Sequence, residues 1–316
     1  MLPSSENFAR ESRGRQPSVG IVVDRLDWHA RQLAAALAGR GIRAVPVRLD
    51  LCAIVTPSEA GLQVDGFGER LPDAVIVRDM SAGTFQAVTL RLGILHALRE
   101  CGVPVWNDAR AIERCVDKSM TSFLLARAGI PTPATWAMES YEAARRIVER
   151  ESAFGPLVLK PLFGSQGRGL RLIRAAADLP PAAEVTGVYY LQRFVGVERD
   201  GFHDFRLFVV AGRVVAAMQR HSAHWITNVK RGGRPVAAVV NDEMAALALR
   251  AVAAIGADFA GVDIVYGPDQ RPTVLEVNSM PAWSGLQKVT AVNLASVLVE
   301  GLLAAAAAPI ARGAMA

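Results

Sequence analysis

The sequence is short of several things, and each shortage excludes something. Only three of its 316 residues are cysteines, Cys52, Cys101 and Cys115. An odd number without CxxC spacing excludes a disulfide framework and a cysteine zinc site, leaving buried, inert thiols as the expectation. Long apolar runs are absent too: none approaches the roughly 20 residues that span a bilayer. The first 17 residues are polar, with arginines among acids, unlike a signal peptide. A cytoplasmic protein without a membrane partner is therefore expected. Charge of one sign is also missing, since 35 basic residues face 30 acidic ones and the net +5 is spread along the chain. With no basic run interleaved with aromatics and no finger or recognition-helix pattern, nucleic acid is excluded as a partner and small anions fit better. Lysine is scarce as well, with four lysines against 31 arginines. Lys118, Lys160, Lys230 and Lys288 are thus candidates for work that needs a compact ammonium and not a planar guanidinium.

What is present suffices for a folded core: 51% of the residues are hydrophobic and 21% charged, over a length that suits about two domains. Strands expected at 19–23, 42–47, 74–77 and 103–105 alternate with a helix capped by Asp27 and another over 85–100. That rhythm predicts a small parallel sheet covered by helices. Helices near 109–114 and 117–128 then run together until Gly129, Pro131 and Pro133. An α+β unit follows, with a helix at 140–150 and strands near 135, 157–159, 170–173 and 187–194. Strands at 205–210, 213–219, 261–266 and 273–277, a helix at 242–255 and an alanine-rich final helix complete the chain. The division read from this pattern is a disordered tail at 1–17, a parallel-sheet domain at 18–113, a small lobe at 114–195, a C-terminal lobe at 196–308 and a tail at 309–316.

Two local patterns carry chemistry. Lys160 ends an apolar strand and is followed by Gly164, Ser165, Gln166, Gly167 and Gly169, a loop whose backbone N–H groups can approach phosphate oxygens unobstructed. The order is neither that of a P-loop nor that of a dinucleotide fingerprint; the alternative is a hairpin with incidental glycines. Over 100 residues later, Asp263 lies in an apolar strand, and Glu276 and Asn278 leave one face of the next. Three oxygen donors on two strands suit a hard cation held together with a nucleotide; the alternative is a set of edge-strand acids facing water. His203, His221 and His224 near Trp225 are better read as acceptor contacts or loop packing than as a metal triad. Asp27-Trp28-His29 and Arg78-Asp79 stand at strand ends, where open α/β sheets receive ligands, and are expected to face a substrate, although Asp27 is equally explained as a helix cap.

Taken together, Lys160 with its loop, the Asp263 strand and the Glu276-x-Asn278 strand resemble the ATP-grasp superfamily. Asp204-x-Arg206, Arg220, Thr227-Asn228-x-x-Arg231-Gly232-Gly233 and Glu276-Val277-Asn278-Ser279-Met280-Pro281 are similar to the RimK-type α-L-glutamate ligases. Arg78-Asp79, the segments Cys115–Lys118 and Gly129–Pro133, and His224–Val229 look most like the tetrahydromethanopterin:glutamate ligase branch; Ile226 and Thr227 stand where the ribosomal-protein-modifying branch usually has arginine and serine. The resemblance implies an ATP-grasp fold, α/β and α+β, with an N-terminal pre-ATP-grasp parallel-sheet domain. It implies ATP contacts at Lys118, Lys160, the glycine loop, the hinge Gln192, Arg193, Phe194 and Val195, and Asp204 and Arg206. In the hinge, Arg193 stands where relatives place a ribose-binding glutamate, with Glu198 as a substitute. Mg2+ or Mn2+, two ions, would sit on Asp263, Glu276 and Asn278. Arg220, or Asn228 with Arg231, would stabilise the oxyanion.

The activity so implied is ATP-dependent ligation of L-glutamate to a carboxylate through an acyl phosphate, with a small coenzyme of the pterin type as acceptor. The rivals are a ligase for a protein tail and a nucleotide-binding scaffold without catalysis. Relatives of this kind commonly form homodimers or homotetramers.

Overall fold

Residues Ser18–Val22 are buried along their whole length because they lie inside a sheet covered on both faces. In the computed structural model, which describes residues 15–164, 166–196 and 201–307, this strand sits second in an all-parallel sheet ordered Arg43–Val47, Ser18–Val22, Ala74–Val77, Val105–Trp106. Residues 1–14 and 308–316, hence most of both expected tails, lie outside the described residues, as do Ser165 and Glu198. Alternate strand residues point to opposite faces. Val19, Ile21, Ala74 and Ile76 pack against helices Trp28–Ala38 and Leu294–Ala306. Val22, Val45, Val75 and Val77 pack against helix Phe85–Glu100. The last helix among the described residues thus covers the first sheet, although sequence order groups it with the C-terminal lobe.

Two antiparallel sheets follow. Thr135–Met138, Tyr189–Arg193, Leu157–Lys160 and Arg171–Ile173 form the first, in that order. Helix Tyr141–Glu151 covers its Leu157, Leu159, Tyr189 and Leu191 face, so Val158, Lys160 and Gln192 project from the opposite one. The second runs Arg234–Ala237, Arg213–Ser222, Phe202–Val210, Phe259–Tyr266, Pro272–Asn278. Helix Asp242–Ile255 buries Leu207, Val209, Val262, Ile264 and Val274 on one side. The other side is divided: Phe208, Met218 and Phe259 join the N-terminal core, while Asp204, Arg206, Arg220 and Asp263 continue the same face as a buried polar stretch.

The α/β and α+β classes expected from the pattern are those of the fold. Strand Arg234–Ala237, helix Ser284–Gln287 and the hairpin of Ala53–Ile54 with Leu62–Gln63 were not anticipated, being too short to show a period. Not all thiols are buried: Cys101 is exposed, whereas burial pushes Cys115 up to about 12. Among the described residues no helix is long and apolar enough to cross a membrane.

One side chain joins the first sheet to the last. Asn107 follows strand Val105–Trp106 and is fully buried. Its Nδ2 donates to the carbonyls of Phe259 (2.8 Å) and Ser279 (2.6 Å), and its Oδ1 accepts from the N–H groups of Asp258 (2.6 Å) and Phe259 (3.1 Å). Asn107→Ala is expected to lower stability by about 3 kcal/mol, because buried backbone groups lose their partners. Asn107→Asp, which restores acceptors but no donors, should recover only part; urea-denaturation midpoints of the three proteins check this.

Candidate functional site

The antiparallel register sets charged residues opposite one another. Arg220 pairs with Asp204 and Arg206 with Asp263, which in turn faces Glu276. Arg206 grips Asp263 with two bonds, Nε to Oδ1 and Nη2 to Oδ2, each 2.6 Å. Arg220 holds Asp204 in the same forked manner, its Nε at 2.7 Å, and its Nη2 also reaches Asp263 Oδ2 at 2.9 Å. Asp263 and Arg220 are each only 3% exposed. Burial pushes the Asp263 carboxyl up, but Arg206 and Arg220 together outweigh it and hold it well below the usual carboxylate range. Glu276 stands at the open end, its Oε1 3.9 Å from Arg206 Nη2 and accepting from Asn278 Nδ2 at 3.0 Å. Three carboxylates against two guanidinium groups leave this cluster one negative charge in excess.

Across the cleft, Lys160 donates to Gln192 Oε1 at 2.6 Å. Gln192 Nε2 in turn donates to the hydroxyl oxygens of Tyr190 (3.2 Å) and Thr135 (3.3 Å). Lys118 Nζ donates to the carbonyls of Leu162 (3.1 Å) and Gly164 (2.9 Å), so it grasps the glycine loop from one side. Arg231 grasps it from the other, through the Gly167 carbonyl at 3.0 Å. Burial lowers both lysine pKa values, with Glu276 acting against the fall. Gly167 has φ +68° and a Cβ there would lie 2.6 Å from Asn228 Oδ1, so only glycine permits this approach. At Gly233 a Cβ would lie 1.9 Å from the Thr227 carbonyl oxygen.

A cleft enclosing roughly 780 Å³ of space open to solvent runs between the two antiparallel sheets, with Val158, Lys160 and the segment Gln192–Gly196 on one wall. Asp204, Arg220, Asn228, Asp263 and Glu276 line the other. Many residues singled out in the sequence therefore converge, but Lys118, Arg231, Asn278 and the described residues of the glycine loop are not among those lining the cleft, and three others stand differently from expectation. Both Asp263 oxygens are taken by guanidinium groups, so the oxygen donors left for a cation are Glu276, which lines the cleft, and Asn278, hydrogen-bonded to it. Arg206 is committed to Asp263 and is not part of the cleft lining. Arg193 turns its guanidinium to Glu151 and lies 6.0 Å over Trp136 and 5.7 Å over Phe154, leaving only its backbone for the cleft. Ser165 lies outside the described residues. Among those described, no group of three or more His, Cys, Asp or Glu side chains is arranged to hold a metal. The all-oxygen set of Glu276, which carries the surplus negative charge of the cluster, and the neighbouring Asn278 fits a hard cation of the Mg2+ type.

His203 and His221 stack across their strands at 5.8 Å, and His203 also lines the cleft. Leu170, Phe202, Val265 and Leu275 also line the cleft, and sequence reasoning missed them. The period-2 pattern around Asp263 held the signal for Val265, whereas Leu275, one residue from Glu276, shares its face only because the register shifts there, between the pairs Asp263–Glu276 and Ile264–Val274. The Asp27 to His29 and Arg78 group does not open onto this cleft. Asp27 caps its helix through Ala30 N at 2.8 Å, and Arg78 Nη1 donates to the Met280 carbonyl at 3.3 Å.

A family model described as the RimK-like ATP-grasp domain matches residues 115–302. A protein of Methanosarcina acetivorans named tetrahydromethanopterin:alpha-L-glutamate ligase is 33% identical, over 90% of this chain and 98% of its own. Its namesake in Methanococcus maripaludis is 31% identical, over 90% and 97%. The fold is similar to that of the ATP-grasp ligase PsnB complexed with a minimal precursor, with TM-score 0.71 and 23% identity over 92% of this chain and 99% of that one. PsnB is also known with minimal precursor, Mg and ADP, at TM-score 0.67 and 23% identity over 91% and 98%.

Removing one member of a buried ion-pair cluster strands the others. Arg220→Met is expected to lower stability by about 3–5 kcal/mol, since it leaves Asp204 unpaired and Asp263 with one guanidinium. Urea denaturation at neutral pH measures the loss.

Proposed function

The chain belongs to the RimK-like ATP-grasp family, and on that footing we propose that it is an ATP-dependent carboxylate–amine ligase adding L-glutamate to a small coenzyme acceptor of the tetrahydromethanopterin type. The names of the two methanogen relatives support the amino acid and the acceptor. The observation that carries the reading is the cleft itself: Lys160 on one wall faces the Asp263 and Glu276 strands on the other.

In this reading ATP lies between the two sheets, its adenine against the backbone of Gln192–Val195 and the apolar Val158 and Leu275, its phosphates toward Lys160, Lys118 and the glycine loop. The lysines are held ready by carbonyl and amide oxygens, which phosphate oxygens would replace. Mg2+ or Mn2+, two ions, on Glu276 and Asn278 with Asp263 behind them would neutralise charge on the transferring phosphoryl group. Arg206 and Arg220 keep Asp263 ionised and fixed, while Asp204 fixes Arg220. The acceptor carboxylate receives the γ-phosphoryl group, and the amine of glutamate then displaces phosphate from the acyl phosphate. Asn228 and Arg231, on the segment that touches the glycine loop, donate to the oxyanion that forms; Arg220 contributes its charge from behind. We read the catalytic lobes as 114–195 and 196–308, and the preceding 18–113 as the domain that supports them.

With ATP, Mg2+ and glutamate, ADP release should depend on a pterin-type acceptor, and mass spectrometry should find the product heavier by one or more glutamyl units. Turnover with a ribosomal-protein tail peptide and with no small acceptor would replace the proposed acceptor class. Glu276→Gln should reduce turnover more than about 100-fold while leaving the thermal unfolding curve in place. Turnover near the wild-type rate in that variant sinks the metal assignment.

A further inference from the structure

The carboxyl ends of a parallel sheet are where α/β folds usually receive ligands. Here those ends hold a piece of the protein itself, the segment Ser279–Ser284 that continues from Glu276 and Asn278. Asn107, after the fourth strand, takes the Ser279 carbonyl at 2.6 Å. Arg78, after the third, takes the Met280 carbonyl and lays its guanidinium 5.3 Å over the Trp283 ring. His29, beyond the strand Ser18–Val22, accepts the backbone N–H of Trp283 at 3.2 Å and of Ser284 at 3.3 Å, both on Nε2. Its ring meets the indole edge-on at 4.6 Å.

We propose that His29 is a positioning residue for the ligation reaction: its neutral ring, protonated at Nδ1, fixes the segment that sets Glu276 and Asn278 in place. The inference rests on the proposed role of those two side chains as metal ligands. The tautomer follows from the bonds. A nitrogen that accepts two backbone N–H groups carries no proton, so the proton is on Nδ1, which donates to Asp27 Oδ2 at 2.8 Å. The charged groups around the ring are Asp27 on its own turn, Arg78 from the neighbouring strand end, with Nη2 3.2 Å from Nδ1, and Lys230 from the Asn228 loop. Burial, then Arg78, lowers the His29 pKa from 6.5, against the opposing pull of Asp27. The folded state therefore prefers the neutral ring, and the brace is present above the ordinary histidine value. It is lost as pH falls through the lower folded value, when Nε2 gains a proton and can no longer accept.

The experiment uses the full chain as wild type, His29→Gln and His29→Leu. Glutamine places an acceptor oxygen close to the Nε2 position and does not titrate; leucine fills space and accepts nothing. Mn2+ affinity is read by electron paramagnetic resonance with ADP present, and kcat and the KM for ATP are read against pH. His29→Leu should weaken Mn2+ binding by about 10-fold and lower kcat by a similar factor, as loss of an outer-shell orienting group does, with the KM for ATP nearly unchanged. His29→Gln should retain most of kcat and lose the acid-side inflection of the wild-type log kcat profile. Unchanged Mn2+ affinity in a folded His29→Leu protein, or the same acid inflection in His29→Gln, overturns the proposal. If His29→Leu does not fold, His29→Gln alone decides through the inflection. Absence of glutamate-dependent turnover in the wild type defeats the functional reading, whereas Mn2+ affinities still judge His29.

Discussion

The Asp263 carboxylate is the constraint around which the rest is arranged. A lone ionised acid in the middle of a strand flanked by Val262 and Ile264 would be untenable, since transferring such a charge out of water costs several kcal/mol even after relaxation. Two guanidinium groups make it tenable, Arg206 bidentate and Arg220 shared with Asp204. Arginine suits this work because its planar fork matches a carboxylate and stays charged when buried. The result is a ladder of charged residues across four strands, and it ends in Glu276, whose surplus charge faces the cleft.

That ladder is half of one sheet face; the other half is apolar and belongs to the N-terminal core. Phe208, Phe259 and Trp283 pack with Val19, Ile21 and Leu33 and with the C-terminal helix. The N-terminal sheet therefore supports the face that bears the charges. Its contact is also polar and directional, through His29, Arg78 and Asn107 at the carboxyl ends of three of its strands. The crevice that such a sheet normally offers to a ligand is filled from within, which is why Asp27, His29 and Arg78 do not open onto the main cleft.

Much of this was legible in the sequence where the signal was local. Apolar runs ended by glycine or proline marked the strands, and parity along Leu275–Asn278 put Glu276 and Asn278 on one face. The scarcity of lysine was informative as well: Lys118 and Lys160 meet at the glycine loop and the cleft wall. What parity does not carry is the partner of each side chain. Arg193 sits in the hinge segment, but Glu151, Trp136 and Phe154 draw its guanidinium away. Arg206 reads as a ligand-binding cation until the neighbouring strand brings Asp263 opposite it. Asn107 gave no sequence signal, since one asparagine after a short strand has neither period nor motif.

The sequence by itself determined the mixed α/β and α+β class, the family, and the set of charged residues from which a nucleotide and metal site can be built. Those follow from spacing along the chain, because side-chain direction repeats every two residues in a strand and glycine loops announce themselves by composition. Tertiary structure alone decided which charges neutralise one another, that the final helix covers the first sheet, and that His29, Arg78 and Asn107 hold the segment after Asn278. Most of these depend on contacts between residues far apart in the sequence, such as Arg206 with Asp263 and His29 with Trp283. Such pairings are set by strand register and by packing of whole sheets, and periodicity within a segment contains neither.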